Sequence, residues 1–405
     1  MIYLDYAANT PPCEEALRVF CDVSRDYIAN PNSSHPLGLA ADERLRKETE
    51  RFASLLGVKE SEIIYTSGAS ESNNLAVKGA AEHYRPSGKH IVTTWLEHSS
   101  IGGAAESLRE RGYEVDYAAL DEEGRVDLDD LRDLLRDDTV LCTVCLVDSE
   151  IGLVQDIPRI AQVVKGHGRR CLLHVDATQA AGKIPLRLGG ADLVTLAPHK
   201  FYGPIGIGIL IKKEGVLLEP QISGGKSATP YRSGTPALAL IASAAEAFAR
   251  AEEHREERYA FVSGLNCTLR EALKKYPRVV FNSPESASRA EAACQAPAAS
   301  PYIFNFSVPG VPSERMVEEM GKRGICISAR SACCAPNTPS RAVYALTGDR
   351  RRALSALRVS LSHLTTPGEL EAFLKAFDEC YGQLAGQASP AGRRPSAGRG
   401  TRHGP

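Results

Sequence analysis

The sequence has almost no net charge and lacks any long apolar run. Among its 405 residues, 48 are Lys or Arg and 50 are Asp or Glu, which gives a net charge of −2 at pH 7. This balance gives no reason to expect nucleic acid or an anionic membrane as a partner. No apolar stretch approaches the roughly 20 residues of a membrane-spanning helix, and the first residues lack the basic-then-apolar pattern of a secretory signal. We therefore expect a cytoplasmic protein.

The eleven cysteines do not follow the pattern of a disulfide framework. Their number is odd, they are scattered, and most lie in apolar segments, which is typical of reduced cytosolic thiols. Cys142 and Cys145 form a CxxC motif inside the apolar run 139–147. Because successive side chains of a strand point to opposite faces, the two thiols are predicted to face apart. We predict no metal site.

Strand-like and helix-like segments alternate between residues 37 and 212. Such alternation favours an α/β fold, a mostly parallel sheet covered by helices. The predicted strands are 62–66, 90–94, 114–118, 139–147, 171–175, 192–196 and 206–211. The predicted helices among them are 37–56, which ends at Gly57, and 127–136 and 157–165.

The pattern changes after Ile211, and this change predicts a second domain. An Ala-rich helix at 236–255 is expected to connect a large α/β domain, residues 13–255, to a smaller α+β domain made of 1–12 and 256–384. The remaining tail, 385–405, carries four arginines, much Gly and Pro, and no acidic residue. Such a composition cannot bury a core, so we predict a disordered, solvated tail.

Polar side chains follow several predicted strands, where open α/β sheets place their sites. Asp176 follows the strand 171–175, and Lys200 comes twenty-four residues later, after the next strand. Pyridoxal phosphate chemistry needs a lysine to hold the aldehyde as a Schiff base and a carboxylate to keep the pyridine nitrogen protonated. His98 follows a third strand. Each residue alone also has an ordinary structural explanation, but three such groups at three strand ends favour a site.

A turn of small residues, 66–74, joins a predicted strand to a predicted helix. A turn of this kind exposes backbone N–H groups at a helix N-terminus, where a phosphate binds well. The alternative is a simple capping box built on Ser67 or Ser70.

Two further candidates lie nearer the C-terminus. Cys333 and Cys334 fall in the small-residue segment 327–336, where a thiol can act as a nucleophile if a nearby cation or base lowers its pKa. An incidental surface pair is the alternative. Arg358 lies in an apolar, strand-like segment, and arginine is rarely buried without an anion. Its planar fork suits the carboxylate of an amino-acid substrate, and a structural salt bridge is the competing interpretation.

Taken in order, these segments resemble the pyridoxal-phosphate cysteine desulfurases of the NifS/IscS-like group, within the fold-type I, class V aminotransferase superfamily. The resemblance covers nearly the whole chain up to about residue 384. The ordered set is specific, although no single motif is: Tyr3-Leu-Asp-Tyr-Ala-Ala, Thr66-Ser-Gly-Ala-Ser-Glu-Ser-Asn-Asn, Thr94-Trp-Leu-Glu-His, His174-Val-Asp-Ala-Thr-Gln, His199-Lys-Phe-Tyr-Gly-Pro, Arg232-Ser-Gly-Thr and Ser331-Ala-Cys.

The resemblance implies a cysteine desulfurase that uses pyridoxal 5'-phosphate as its cofactor. Such an enzyme converts L-cysteine to L-alanine and carries the sulfur as a persulfide to an acceptor, such as an iron–sulfur scaffold or a tRNA-thiolation protein. It also implies a homodimer, because Thr235 would reach the phosphate bound by the partner subunit. A selenocysteine lyase and a non-catalytic, pyridoxal-phosphate-binding paralogue are the alternatives. An ordinary aminotransferase is disfavoured, since it has no need for the segment around Cys333.

The resemblance also implies a role for each matching residue. Lys200 would be the Schiff-base lysine and proton shuttle, and Cys333 would attack the substrate's sulfur. His98 would stack on the cofactor ring and assist proton transfer. Arg358 would hold the substrate carboxylate, with Ser149 also contacting the substrate.

The implied cofactor site is larger than this catalytic set. Asp176 would pair with the pyridinium nitrogen, and Gln179 would hydrogen-bond the phenolic oxygen. The complete set of implied cofactor-binding residues is Ala69, Ser70, His98, Asp176, Gln179, His199, Lys200 and Thr235.

Several positions depart from the family pattern. Ser149 stands where many relatives have an asparagine, and we expect it to limit turnover rather than cofactor loading. Ala197 replaces a serine three residues before the lysine and removes one phosphate contact. Lys226 and Arg330 each occupy a position where glycine is common in the family.

Overall fold

The protein is described by a computed structural model that covers residues 1–168, 171–225, 227–285, 297–329 and 338–385. Lys226 and the segment 330–337, which contains Arg330, Ser331, Cys333 and Cys334, lie outside the described residues, as does the tail from 386 onward.

The strands, in chain order, are β1 (Ile2–Tyr3), β2 (Ile63–Thr66), β3 (His90–Thr93), β4 (Glu114–Tyr117), β5 (Thr139–Cys145), β6 (Leu172–Asp176), β7 (Leu193–Leu196), β8 (Gly208–Lys212), β9 (Val280–Phe281), β10 (Ile303–Ser307), β11 (Ile325–Cys326) and β12 (Ala356–Ser360). The α-helices are α1 (Glu14–Asp26), α2 (Pro36–Leu56), α3 (Ala69–His83), α4 (Ser99–Arg109), α5 (Leu128–Leu134), α6 (Ile157–Gly166), α7 (Leu238–Glu253), α8 (Arg255–Leu273), α9 (Ser313–Lys322), α10 (Arg341–Thr347), α11 (Arg350–Leu354) and α12 (Pro367–Ala385). No helix in the described ranges is both long enough and apolar enough to cross a membrane.

A seven-stranded sheet forms the centre of the larger part of the molecule. Its strand order is β2-β8-β7-β6-β5-β3-β4. The pairs from β7 to β4 are parallel, and only β8 runs antiparallel to its two neighbours. The predicted α/β class with a mostly parallel sheet is therefore confirmed. Parallel strands bring their carboxyl ends to one edge of the sheet, and that edge is where an α/β protein places its site.

Both faces of this sheet are covered, because alternate side chains of one strand pack into different apolar clusters. Leu141 and Leu172 lie in a cluster with α3 and α4, whereas Cys142 and Leu173 pack with α2 and α7 on the other face. The CxxC thiols face apart, as predicted: Cys145 lies in a third cluster near the edge of the sheet. Strands buried on both faces read as continuous apolar runs, which explains why they could be located from sequence.

The helix predicted at 236–255 proves to be only the first of two helices. Helix α7 ends at Glu253, and α8 begins at Arg255 after His254, whose φ of −103° and ψ of 8° interrupt the helix. No glycine or proline marks the break. Packing explains it, since α7 contacts the core of the large sheet whereas α8 contacts a separate core.

That separate core belongs to a smaller sheet region. Strands β12, β10 and β9 form an antiparallel sheet, and β1 pairs in parallel with β11. Leu4 packs there with side chains such as Phe304 and Phe377, so the N-terminal segment joins the C-terminal part of the chain. The domain boundaries at residues 12 and 255 stay a prediction.

Gly208 allows β8 to pass directly against the loop that leads into α3. A Cβ at Gly208 would lie 2.6 Å from both the Gly68 carbonyl oxygen and Thr66 Oγ1. We expect Gly208→Ala to lower the free energy of unfolding by roughly 1–3 kcal/mol, because backbone must move to admit the methyl group. Urea denaturation measures this change.

The matched control is Gly103→Ala in α4, where an added Cβ meets nothing within 4 Å. It should leave stability unchanged or raise it by up to about 1 kcal/mol. Equal stability of the two variants would contradict the packing argument.

Candidate active site

A cavity of about 400 Å³ lies at the carboxyl edge of the large sheet. Asp176 ends β6, and Lys200 and His98 follow β7 and β3, so strand ends bring these side chains together. Nine of the residues proposed from sequence line this cavity: Ala69, Ser70, His98, Ser149, Asp176, Gln179, His199, Lys200 and Arg358.

Lys200 lies in a short 3₁₀ turn, Pro198–Lys200, directly after β7. Its Nζ donates to the carbonyl oxygens of Ala7 and Ala8, at 2.8 and 2.6 Å. The N-terminal segment therefore holds the amine at the cavity, a contact that the sequence analysis did not foresee.

Asp176 is buried and held by two donors. Its Oδ2 accepts a hydrogen bond from Asn73 Nδ2 at 2.9 Å, and its Oδ1 accepts one from the backbone N–H of Thr178 at 2.9 Å. Asn73 uses its second proton on Ser100 Oγ, also at 2.9 Å. Asn73 was missed from sequence, although it lies in the motif 66–74, one helical turn after Ala69.

His98 is the N-cap of α4, and its Nδ1 accepts from the backbone N–H of Ser100 at 3.2 Å. Because Nδ1 is an acceptor there, a neutral imidazole carries its proton on Nε2. Burial lowers the pKa of His98. The ring is therefore neutral at physiological pH and can exchange one proton through Nε2.

Helix α3 begins at the cavity with Ala69 and Ser70. No side chain caps its N-terminus at Gly68, so backbone N–H groups of the first turn are available to a ligand. Glu71 pairs with Arg232 and accepts from Ser67 N at 2.7 Å, which fixes the turn. A free helix N-terminus with a partial positive charge suits a phosphate.

His199 also lines the cavity, next to Lys200 in the chain. Burial, together with the nearby ammonium groups of Lys200 and Lys183, lowers the pKa of its imidazole to about 4. A neutral His199 can donate one hydrogen bond to an anion without adding charge.

Arg358, on β12, is almost fully buried. Its Nη2 pairs with Asp5 Oδ1 at 2.7 Å, and its Nη1 donates to the Ser149 carbonyl oxygen at 2.8 Å. Within the described residues, its Nε has no hydrogen-bond partner. The salt bridge that was the competing interpretation of Arg358 is therefore present. The same guanidinium also lines the cavity, and it has further N–H groups that can donate to a ligand.

The described residues on either side of the segment that contains Cys333 lie beside this cavity. On the near side, the backbone of Ser328 pairs with that of Arg358. On the far side, Ser340 Oγ donates to the Glu150 carboxylate, and Arg341 Nη2 donates to the Glu97 carbonyl oxygen at 2.8 Å.

Glu97 is a buried acid that the sequence analysis named only within a motif. Its Oε1 accepts from Thr94 Oγ1 at 2.8 Å and from the backbone N–H of Cys145 at 2.9 Å. Burial raises the pKa of Glu97 to about 8, so the carboxyl group is protonated at neutral pH. In the sequence, Glu97 could have been recognised as a candidate because it directly follows the apolar pair Trp95-Leu96 and directly precedes His98.

Thr235 does not line this cavity. It lines a second cavity of about 480 Å³, and its Oγ1 accepts from Asn30 Nδ2 at 3.3 Å. The two cavities share Ser67. Within one chain, Thr235 is therefore apart from the other proposed cofactor residues.

The residues at the first cavity fit pyridoxal phosphate. Lys200, the buried Asp176, the uncapped N-terminus of α3 and the guanidinium of Arg358 match an aldehyde, a pyridine nitrogen, a phosphate and a carboxylate. A volume of about 400 Å³ lies within the range of small-molecule sites.

Comparison with known proteins gives matches over most of the chain. The family model described as Aminotransferase class-V matches residues 2–373. The cysteine desulfurase IscS of Neisseria meningitidis serogroup C is 35% identical over 389 residues, which cover 95% of this chain and 93% of that protein. A solved structure described as a NifS-like protein has a TM-score of 0.86 and 30% identity, over 95% of this chain and all of its own. A structure described as SspA in complex with cysteine has a TM-score of 0.75 and 29% identity, over 90% of this chain and all of its own.

The pKa of Glu97 predicts a pH-dependent stability. Because this pKa is raised from 4.5 to about 8, the stability that Glu97 contributes is present below pH 4.5 and is lost as the pH rises through about 8. Glu97→Gln keeps the shape and cannot ionise. The free energy of unfolding of this variant, relative to wild type, should therefore increase by on the order of a few kcal/mol between about pH 5 and about pH 9.

Urea denaturation of the cofactor-free protein measures this difference, with the exposed Glu122→Gln as control. A wild-type-to-variant difference that stays constant over the pH range would show that Glu97 is ionised in the folded protein.

Proposed function

The chain belongs to the class-V aminotransferase family, and we propose that it is a pyridoxal-phosphate-dependent cysteine desulfurase. One observation carries the proposal: Lys200 and Asp176, at neighbouring strand ends, line one cavity with the free N-terminus of α3 and the guanidinium of Arg358. The curated IscS relative, matched over 95% of the chain, supports this specific reaction.

Different residues around the cavity would bind different groups of the cofactor. When bound, pyridoxal phosphate supplies an electron sink at the substrate's α-carbon. Lys200 would hold it and would move a proton at Nζ, and Asp176, which Asn73 orients, would keep the pyridine nitrogen protonated. The N–H groups of Ala69 and Ser70, together with His199, would hold the phosphate. Gln179 would donate to the phenolic oxygen.

The substrate carboxylate binds to Arg358, which still has donors after its contacts with Asp5 and the Ser149 carbonyl. His98, with its proton on Nε2, assists proton transfer next to the ring. The Cys333 thiolate takes the substrate's sulfur, so that L-cysteine and a thiol become L-alanine and a persulfide. Atoms and electrons balance without an external oxidant.

We also propose a homodimer with shared sites. Thr235 and its second cavity would face the phosphate of the partner subunit. Four exposed apolar side chains offer area for such a contact, and at least 58% of each is accessible: Ile28, Leu37, Leu39 and Ile205. Burial of apolar area of this kind favours association.

The persulfide would pass to a sulfur acceptor, either an iron–sulfur scaffold or a tRNA-thiolation protein. Both ends of the segment around Cys333 are anchored beside the cavity, at Ser328 and Ser340. A carrier thiol there can meet the substrate and then an acceptor. A cytoplasmic location suits this role, because a reducing compartment keeps Cys333 a thiol.

Lys200→Ala tests the cofactor assignment. The variant should lose the borohydride-fixable attachment of pyridoxal phosphate, and alanine formation should fall at least about a hundredfold, because its main acid–base group is gone. Mass spectrometry of the reduced protein measures the attachment. Lys213→Ala, which removes a half-exposed lysine paired with Glu62, is the control and should keep it. Pyridoxal phosphate still fixed in the Lys200→Ala variant would refute the assignment.

The persulfide carrier can be identified by peptide mapping after exposure to L-cysteine. We expect the extra sulfur on Cys333, with Cys333→Ser losing at least about a hundredfold in sulfur release because the nucleophile is absent. Cys334→Ser is the matched control and should retain most activity. An active Cys333→Ser variant with the persulfide on Cys334 would reverse the two roles.

Mixed dimers test the role of Thr235. If it acts on the partner's site, a dimer of one Lys200→Ala and one Thr235→Ala subunit contains one intact site. That site should bind pyridoxal phosphate with wild-type affinity, measured by absorption titration. If Thr235 acts within its own chain, the mixed dimer has no intact site, and wild-type affinity will be absent.

A further inference from the structure

Lys183 is a fully enclosed lysine close to the cavity, and the mechanism above does not use it. Only 3% of its surface is exposed. Buried lysines are rare, because desolvation of an ammonium group is unfavourable unless an anion compensates. In the described part of the chain, no carboxylate lies within ion-pairing distance of its Nζ. Its burial therefore needs another explanation.

The contacts of Lys183 point towards the cofactor site. Its Nζ donates to Gln179 Oε1 at 3.2 Å and lies 5.9 Å from the centre of the Tyr302 ring. Burial, together with the positive charges of Lys200 and Arg358, lowers the pKa of this amine to about 7. Whether protonated or neutral, the amine has an N–H to donate.

Two neighbours determine which way the Gln179 amide faces. Its Nε2 donates to the Ala7 carbonyl oxygen at 2.9 Å, a group that can only accept. Its Oε1 faces the Lys183 amine. The carbonyl edge of the amide is therefore occupied by Lys183, and the amide nitrogen still has a second proton. Because Gln179 lines the cavity, this proton is available to a ligand there.

We propose that Lys183 is a positioning residue that holds Gln179 in the orientation in which its amide donates to the phenolic oxygen of pyridoxal phosphate. Without Lys183, the amide loses the partner of its carbonyl oxygen and is free to rotate or to bind water. This inference rests on the proposed function, because it presumes the cofactor at Lys200.

The test is the pKa of the bound cofactor, measured by titrating its visible absorption band. A donor at the phenolic oxygen stabilises negative charge on it and thereby lowers this pKa. Lys183→Met removes the donor and keeps the length of the side chain. The pKa should rise by about one pH unit, as expected for one hydrogen bond to a charged group. Gln179→Ala should cause a similar rise.

Two further variants separate positioning from charge and from structure. Lys183→Gln removes the charge but keeps a donor, so it should restore most of the wild-type pKa. The double variant Lys183→Met with Gln179→Ala should shift no further than either single variant, because the two residues act through one hydrogen bond. Lys212→Met is the control: Lys212 is also buried, but it donates to the Val216 carbonyl oxygen and not to Gln179.

The possible failures are distinguishable. A wild-type protein that forms no absorbing complex with pyridoxal phosphate overturns the proposed function and this inference together. A wild-type complex whose pKa is unchanged in Lys183→Met overturns the inference alone. Additive shifts in the double variant, or a Lys183→Gln variant that behaves like Lys183→Met, also overturn it, because they show that charge and not orientation is responsible.

Discussion

The candidate site depends on how the N-terminal segment, residues 4–10, passes between the two cores. Leu4 packs in the smaller core, and four residues beyond it touch the groups of the site. Asp5 pairs with Arg358, and Thr10 Oγ1 donates to the His199 carbonyl oxygen. The Ala7 carbonyl accepts from both Lys200 and Gln179, and the Ala8 carbonyl accepts from Lys200. Buried backbone carbonyls need hydrogen-bond partners. These contacts therefore stabilise the fold of the N-terminal segment and also fix the orientation of the side chains of Lys200 and Gln179.

Two cationic side chains, Lys200 and Arg358, line the cavity, and the buried Lys183 lies behind Gln179 in its wall. Lys183, Lys200 and Arg358 lie close enough for Lys200 and Arg358 to lower the pKa of Lys183. Burial keeps His98 and His199 neutral, which limits the positive charge. Arg358 is paired with Asp5, and Asp176 adds a buried carboxylate to the same cavity. The donors that Lys200 and Arg358 present there suit a phosphate, a phenolic oxygen and a substrate carboxylate.

The sequence was sufficient for features that depend on local pattern. Buried parallel strands read as apolar runs, so the strands ending at Asp176 and preceding Lys200 could be located, and with them the edge of the sheet that carries the site. The partners of these residues could not be found in this way. Asp5 meets Arg358 across more than 350 positions, and Asn73 meets Asp176 across 103. Such pairs are set by tertiary packing, as is the break between α7 and α8, which no glycine or proline marks.

The central claim, that the chain releases sulfur from L-cysteine, can be tested directly on the purified protein. Protein loaded with pyridoxal phosphate is mixed with L-cysteine and a thiol reductant, and alanine and sulfide are measured over time, with cofactor-free protein as reference. The account predicts alanine and sulfide in equal amounts, formed over many turnovers and only by the loaded protein. A loaded protein that absorbs in the visible range but forms no alanine would contradict the claim and would leave a selenocysteine lyase and a non-catalytic binding paralogue as the alternatives.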